Sequence, residues 1–141
     1  MKLIIAGTRE GFVYSSVEDA FLKATERIGI KAITEIVSGM ARGVDTHALA
    51  IAKKYGIRVA EFPADWDRFG KRAGYLRNEK MAEYADALLA CWDGESKGTG
   101  HMIDLAKKHG LKVYVHRQND IDRRKWELYV EHQRRKGILG S

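Results

Sequence analysis

A single cysteine and a single proline stand in the 141 residues of this chain. With Cys91 alone, no disulfide can form within the chain, a usage that fits a reducing cytoplasm. Cys91 lies in an apolar strand pattern and reads as a buried structural thiol rather than a nucleophile. With Pro63 alone, no Pro/Gly linker marks a second domain, and no internal repeat or low-complexity segment interrupts the chain. No apolar run approaches membrane-spanning length. The opening Met1-Lys2-Leu3-Ile4-Ile5-Ala6-Gly7 reads as a first buried strand and is too short for a signal. The expectation is a cytoplasmic protein with no membrane partner.

Familiar site motifs are missing as well. The dinucleotide pattern G-x-G-x-x-G fails because Ile103 stands where the third glycine after Gly98-Thr99-Gly100 belongs. A P-loop ends Gly-Lys-Ser/Thr, whereas this chain reads Lys97-Gly98-Thr99, which excludes Walker chemistry. The histidines at 47, 101, 109, 116 and 132 show no ligand spacing with Cys91 or a carboxylate, so no metal is expected. Ser38 lacks the flanks of a nucleophile elbow.

What is present is a soluble globular composition, 45% hydrophobic and 31% charged, in a length suited to one domain. The net charge of +6 permits an anionic partner. Much of the excess lies late in the chain, at Arg123, Arg124, Lys125, Arg134, Arg135 and Lys136, where a solvated face explains it equally well.

Apolar strands alternate with helical periodicity throughout. Strands are expected at Lys2 to Ala6, Ile33 to Val37, Ile57 to Phe62, Ala87 to Cys91 and Lys112 to His116. A first helix carries Val17, Ala20, Phe21, Ala24 and Ile28 on one face, with Ser15 or Ser16 as its cap and Ser15-x-x-Glu18 as a capping box. A second runs through Val44, Ala48, Ile51, Ala52 and Tyr55 and ends at Gly56. Residues 63–75 break the alternation and suggest an irregular ligand-side loop. Further helices follow over Leu76 to Tyr84, roughly 101–109 and about 121–136. This pattern predicts an α/β, three-layer Rossmann-like domain, a five-stranded parallel sheet with helices on both faces and a C-terminal helix. On the last helix, Trp126, Tyr129, Val130 and Gln133 share a face that docks on its own domain or on a second subunit, making a homodimer a hypothesis.

In such sheets ligands bind beyond the carboxyl ends of the strands. Three glycine-bearing turns fall at that edge: Gly7-Thr8-Arg9, Ser38-Gly39-Met40-Ala41-Arg42-Gly43, and Gly94 to Gly100. The middle turn leads straight into a helix, whose unpaired first N–H groups and dipole favour an anion. Arg42 and Arg9 add forked donors suited to phosphate. Thr99 reads as an N-cap, a ligand contact, or both, and Lys97 as a secondary anion contact. Asp45 suits the helix dipole or a ribose hydroxyl. Trp66 suits a base or the core edge. Arg77 and Asn78 open a helix facing the 63–75 loop. His47 reads as a core-edge histidine, while His101 is ambiguous.

These residues carry a resemblance. Val37-Ser38-Gly39-Met40-Ala41-Arg42-Gly43-Val44-Asp45 with His47-Ala48 resembles the SGxARGxD…AH signature of DprA/Smf proteins, members of the SLOG superfamily. Gly7-Thr8-Arg9, Phe62 to Trp66, Arg77-Asn78 and Trp92 to Thr99 are similar, in order, to motifs of its YspA-like branch. The similarity spans residues 1–116, taken as a nucleotide-binding domain, with 117–141 a basic helix appended to it. It implies a nucleotide or nucleotide-derived ligand of nucleoside phosphate, NAD or ADP-ribose type, bound by a sensor or an N-glycosidic hydrolase. It firmly implies no cofactor. The implied site comprises Gly7, Thr8, Arg9, Ser38, Gly39, Ala41, Arg42, Gly43, Asp45, Asp65, Trp66, Arg77, Asn78, Gly98, Thr99 and Gly100. LOG-type phosphoribohydrolases of the superfamily carry a catalytic glutamate where this chain has Met102, which can neither take nor give a proton and leaves catalytic residues unassigned; Asp45, Asp65, Glu79 and Asp93 are the carboxylates that could reach the pocket from elsewhere. The alternative is a single-stranded nucleic-acid binder of DprA type, its cradle gripping a strand phosphate.

Overall fold

The computed structural model describes residues 1–137; residues 138–141, the end of the expected segment 117–141, lie outside the described residues. Five parallel strands, β1 (Lys2–Gly7), β2 (Glu35–Ser38), β3 (Arg58–Glu61), β4 (Ala87–Trp92) and β5 (Lys112–Arg117), pair in the order β3-β2-β1-β4-β5. The helices are α1 (Tyr14–Ala24), α2 (Val44–Tyr55), α3 (Trp66–Phe69), α4 (Ala73–Tyr84), α5 (Lys97–Lys108) and α6 (Asp120–Arg135).

The pleat of the central strands builds the layers, because successive side chains point to opposite faces. Leu3 and Ile5 of β1 join Ile36, Leu89 and Cys91 under α1 and α2, with Phe21, Ala48 and Ile51 packed against them. Ile4 and Ala6 point the other way and meet Val37, Leu88 and Ala90 under α4 and α5, where Met81, Met102 and Ala106 close the layer. Both faces of β1 and β4 are buried, which is why these strands read as unbroken apolar runs. Burial pushes the Cys91 thiol up to about 12, so it stays protonated at neutral pH.

The departures from expectation are local and have physical causes. The first helix starts at Tyr14 with Val13 at its N-cap and no side-chain cap. The expected capping box does not form because Glu18 is taken up elsewhere, accepting from Tyr14 Oη and Tyr55 Oη at 3.0 Å each and pairing with Lys54 at 2.6 Å. That helix ends at Ala24, leaving Ile28 outside it. Ile33 closes a short 3-10 turn over Ile30–Ala32, so β2 begins only at Glu35. The 63–75 segment is partly ordered into α3, where Asp65 Oδ1 accepts from the Arg68 N–H at 3.1 Å, followed by a 3-10 turn at Gly70–Arg72. α4 begins at Ala73 and α5 at Lys97, each three to four residues before the sequence pattern suggested. Gly56 does end α2, in the left-handed region. No helix among the described residues is long and apolar enough to cross a membrane.

Candidate functional site

The strand order reverses between β1 and β4, because the chain runs outward to β3 and returns to place β4 on the other side of β1. Such a switch point splays the following loops apart and opens a crevice at the carboxyl ends. The two loops are tied at their roots. The Thr8 N–H donates to the Cys91 carbonyl at 3.1 Å, and the Asp93 N–H donates to Thr8 Oγ1 at 3.2 Å. Gly7 is required for this approach, since a Cβ there would overlap the Cys91 carbonyl oxygen and lie 2.9 Å from Val44 Cγ2. Thr8 is therefore committed to the joint.

The turn after β2 forms the next wall. Ser38 is fully buried, and its hydroxyl accepts from the Met40 N–H at 3.1 Å, holding Met40 at a φ of 63°. Few non-glycine residues adopt that conformation, so the turn is strained at the rim of the crevice. Gly43 enters α2 at φ 79° and ψ −125° and lies against the backbone of Arg9, locking the first turn to the second. In the first turn of α2, Asp45 folds back to accept from the Ala41 N–H at 3.2 Å and is only 5% exposed.

The opposite wall comes from α4 and α5. Arg77 donates through Nη1 to the Gly39 carbonyl and through Nε to Asn78 Oδ1 at 3.0 Å. Asn78 Nδ2 in turn donates to His101 Nδ1 at 3.2 Å, and the Tyr75 ring meets His101 edge-on at 4.6 Å. Ser96 is the N-cap of α5, which places Thr99 within the first turn rather than at the cap; the two hydroxyls lie 3.3 Å apart.

Together these walls enclose a cleft of about 500 Å³. Of the residues expected from the sequence, it brings together Gly7, Arg9, Gly39, Ala41, Arg42, Asp45, Trp66, Arg77, Asn78, Gly98 and Thr99. Thr8, Ser38, Gly43, Asp65 and Gly100 are not among its lining residues. Ser38, Thr8 and Asp65 spend their polar atoms on the turns beside it, and Gly100 abuts Trp92. Lys97 and Glu79 do not line it either. The structure adds Lys71, Tyr75 and Ser96 to the walls and Ala6, Met81 and Met102 among its apolar lining. Tyr75 lies three residues before Asn78 on one helix face, a spacing hidden by starting that helix at Leu76.

Arg9, Arg42, Lys71 and Arg77 all line the cleft, and among the described residues none of them is in an ion pair. Among the described residues, Asp45 is the only carboxylate in the lining. Burial raises it to about 6, against the opposing pull of the Ala41 N–H and the Arg77 and Arg9 charges. Burial likewise lowers the pKa of Arg77 and of His101, which favours a neutral imidazole there. Trp66 and Tyr75, 53% and 48% exposed, stand at this cleft with Trp66 laid over Gly74. Among the described residues, no cluster of His, Cys, Asp or Glu could hold a metal ion.

Fold and cleft define a Rossmann-like α/β domain with an arginine-lined crevice at its switch point. Residues 1–69 match the family described as the YspA, cpYpsA-related SLOG family. The gene 61 protein of Mycobacterium phage D29 is 34% identical over 120 residues, covering 79% of this chain and 93% of that protein. The chain belongs to this SLOG family. Its fold is also similar to that of DNA processing protein A from Helicobacter pylori, with a TM-score of 0.57 and 23% identity over 94% of this chain and 73% of that one.

Proposed function

We propose that this protein binds a nucleotide or nucleotide-derived ligand, of nucleoside phosphate, NAD or ADP-ribose type, in the cleft at the strand ends. One observation carries the reading: four cationic side chains without ion pairs among the described residues surround a cleft whose single carboxylate is Asp45 and at which two exposed aromatic rings stand. Arginine forks and the first N–H groups of α5 suit phosphate. Asp45 suits a ribose hydroxyl, and Trp66 and Tyr75 suit a base. Met102 lines the cleft at the position of the LOG-type glutamate and can neither take nor give a proton. That supports a sensor over a hydrolase of LOG mechanism.

Thermal unfolding with a panel of nucleotides tests this. A ligand at a hundredfold its Kd stabilises the fold by about 2.7 kcal/mol, or roughly 5–10 °C in Tm at this size. The shift is expected to vanish in Arg42→Ala. No shift with AMP, ADP, NAD, ADP-ribose or cyclic nucleotides, and no change on that substitution, overturns the reading.

A second reading is favoured by the net charge of +6 and by the outward exposure of Arg9 and Arg42. The Helicobacter pylori protein of similar fold binds single-stranded DNA. On this reading the arginines grip strand phosphates, and oligonucleotide binding falls steeply with salt and disappears when both Arg42 and Arg77 are replaced. We further propose a homodimer through the α6 face that carries Trp126, Tyr129, Val130 and Gln133, on which Tyr129 is exposed. Light scattering at micromolar concentration checks it, and a monomer mass rejects it.

A further inference from the structure

A second hollow adjoins the cleft. It is an open groove of about 650 Å³, and it shares Arg9, Arg42, Ser96 and Gly98 with the cleft. Beyond that shared saddle it is lined by Glu10, Asp93, Gln118 and Trp126. The two hollows are therefore halves of one trough, crossing the carboxyl end of the sheet with its arginines in the middle.

The far half is built by the C-terminal helix, whose start is firmly anchored. Asn119 and Asp122 form a capping box at 2.8 and 3.1 Å, and Asp122 also pairs with His116 at 2.8 Å. Gln118 Nε2 donates to the Gly11 carbonyl at 3.0 Å, tying the helix entry to the loop after β1. These bonds bring half-buried Trp126 to the groove, its ring 5.3 Å from that of Tyr129.

The halves carry the same three chemistries. The cleft has Trp66 and Tyr75 as aromatic rings and Asp45 as a carboxylate; the groove has Trp126 with Glu10 and Asp93. Between them lie two arginines and the open first turn of α5, where no atom comes within 4 Å of a Cβ built on Gly98. Aromatic rings stack on bases, carboxylates accept from ribose hydroxyls, and arginine forks grip phosphate oxygens.

We propose that the site is bipartite and takes a pyrophosphate-linked dinucleotide, one nucleoside in the cleft, the other against Trp126, and the pyrophosphate on Arg9 and Arg42. This rests on the nucleotide reading above and narrows its ligand class. Both carboxylates of the groove disfavour a nucleic-acid strand, which would carry further phosphates past them and, as DNA, would offer no ribose hydroxyl there.

Calorimetric titration of the full chain with NAD and with AMP decides it. NAD is expected to bind roughly tenfold or more tightly than AMP, the size of one added stacking contact. Trp126→Ala brings the NAD-to-AMP ratio close to one, whereas Trp66→Ala weakens both. Glu10→Ala, at an exposed position, lowers the same ratio severalfold and serves if Trp126→Ala does not fold. NAD no tighter than AMP, or a ratio untouched by both groove variants, overturns the bipartite site while leaving the nucleotide reading intact. Absence of binding by both compounds overturns the bipartite site, and the nucleotide reading falls with it only if ADP, ADP-ribose and cyclic nucleotides also fail to bind. Oligothymidylate binding that weakens in Trp126→Ala assigns the groove to a strand and overturns the proposal.

Discussion

Gly43→Ala is expected to destabilise the fold by about 4 kcal/mol, lowering Tm by roughly 10 °C. Two effects add. At φ 79° and ψ −125°, Gly43 occupies a backbone region that side-chain-bearing residues enter at a cost of about 1–3 kcal/mol. A Cβ there would also be driven into the backbone of Arg9, with the Arg9 carbonyl carbon and Cα each 2.6 Å away. Backbone cannot swing aside as a flexible side chain can, so relief requires moving the β1 loop at an overpacking cost of about 1–3 kcal/mol. Gly98→Ala is the control. Nothing lies within 4 Å of its Cβ, and it sits in the first turn of α5, where alanine is the better helix former by up to about 1 kcal/mol. Its stability should hold or rise, while ligand affinity falls because the methyl group stands on the shared saddle. Urea unfolding of both variants gives the comparison; a Gly43→Ala protein within 1 kcal/mol of the parent would show that the turn adapts freely.

Asp45 predicts an effect of the opposite sign. Its folded-state pKa of about 6 lies above the unfolded value near 3.8. The folded state thus holds a proton that the unfolded state has released, and stability from this group is fully present below the lower value. It is lost as pH rises through about 6. Two pKa units at about 1.4 kcal/mol each put the loss at about 2–3 kcal/mol by pH 7.5. Asp45→Asn keeps an oxygen for the Ala41 N–H and carries no charge, so it should be more stable than the parent by about that amount at pH 7.5. The gap should close toward pH 4. Unfolding free energies of the two proteins across this range isolate the residue, because every other carboxylate cancels. A gap independent of pH would mean that Asp45 titrates normally. The same substitution is expected to weaken ribonucleotide binding, since it removes the carboxylate that lines the cleft. A residue that destabilises the empty protein at neutral pH is easiest to understand as serving a ligand.

Local pattern carried much of this in advance. Short apolar runs and near-3.6 periodicity placed all five strands and the long helices, because burial of a central strand on both faces and of a helix on one face imposes those patterns on any chain that forms them. The boundaries were less legible. α4 and α5 start early because their first turns contain Gly74, Lys97 and Gly98, which carry no apolar signal, and β2 starts late because Ile33 is buried by a turn rather than by a strand. Ser15 and Glu18 fit a capping box by spacing, yet Lys54 and Tyr55, far along the chain, take the glutamate away. Thr99 suits a cap by residue type, yet α5 begins at Lys97 and places it inside the first turn.

The site shows the same division. Glycines and arginines next to strand ends announced a phosphate-suited rim, since a backbone that must bend sharply and approach closely leaves glycine in the sequence. Which of those residues meet was decided by contacts between distant segments. Arg77 reaches the Gly39 carbonyl from another layer, Thr8 spends itself on Cys91 and Asp93, and Gln118 ties the last helix to Gly11. So the amino-acid order alone determined a parallel α/β sheet with three anion-suited turns on one edge. Only the tertiary structure decided that Asp45 is buried among arginines and that Trp126 borders a second hollow. Periodicity and turn chemistry are local, whereas desolvation and the meeting of charges depend on which remote segments the folded chain presses together.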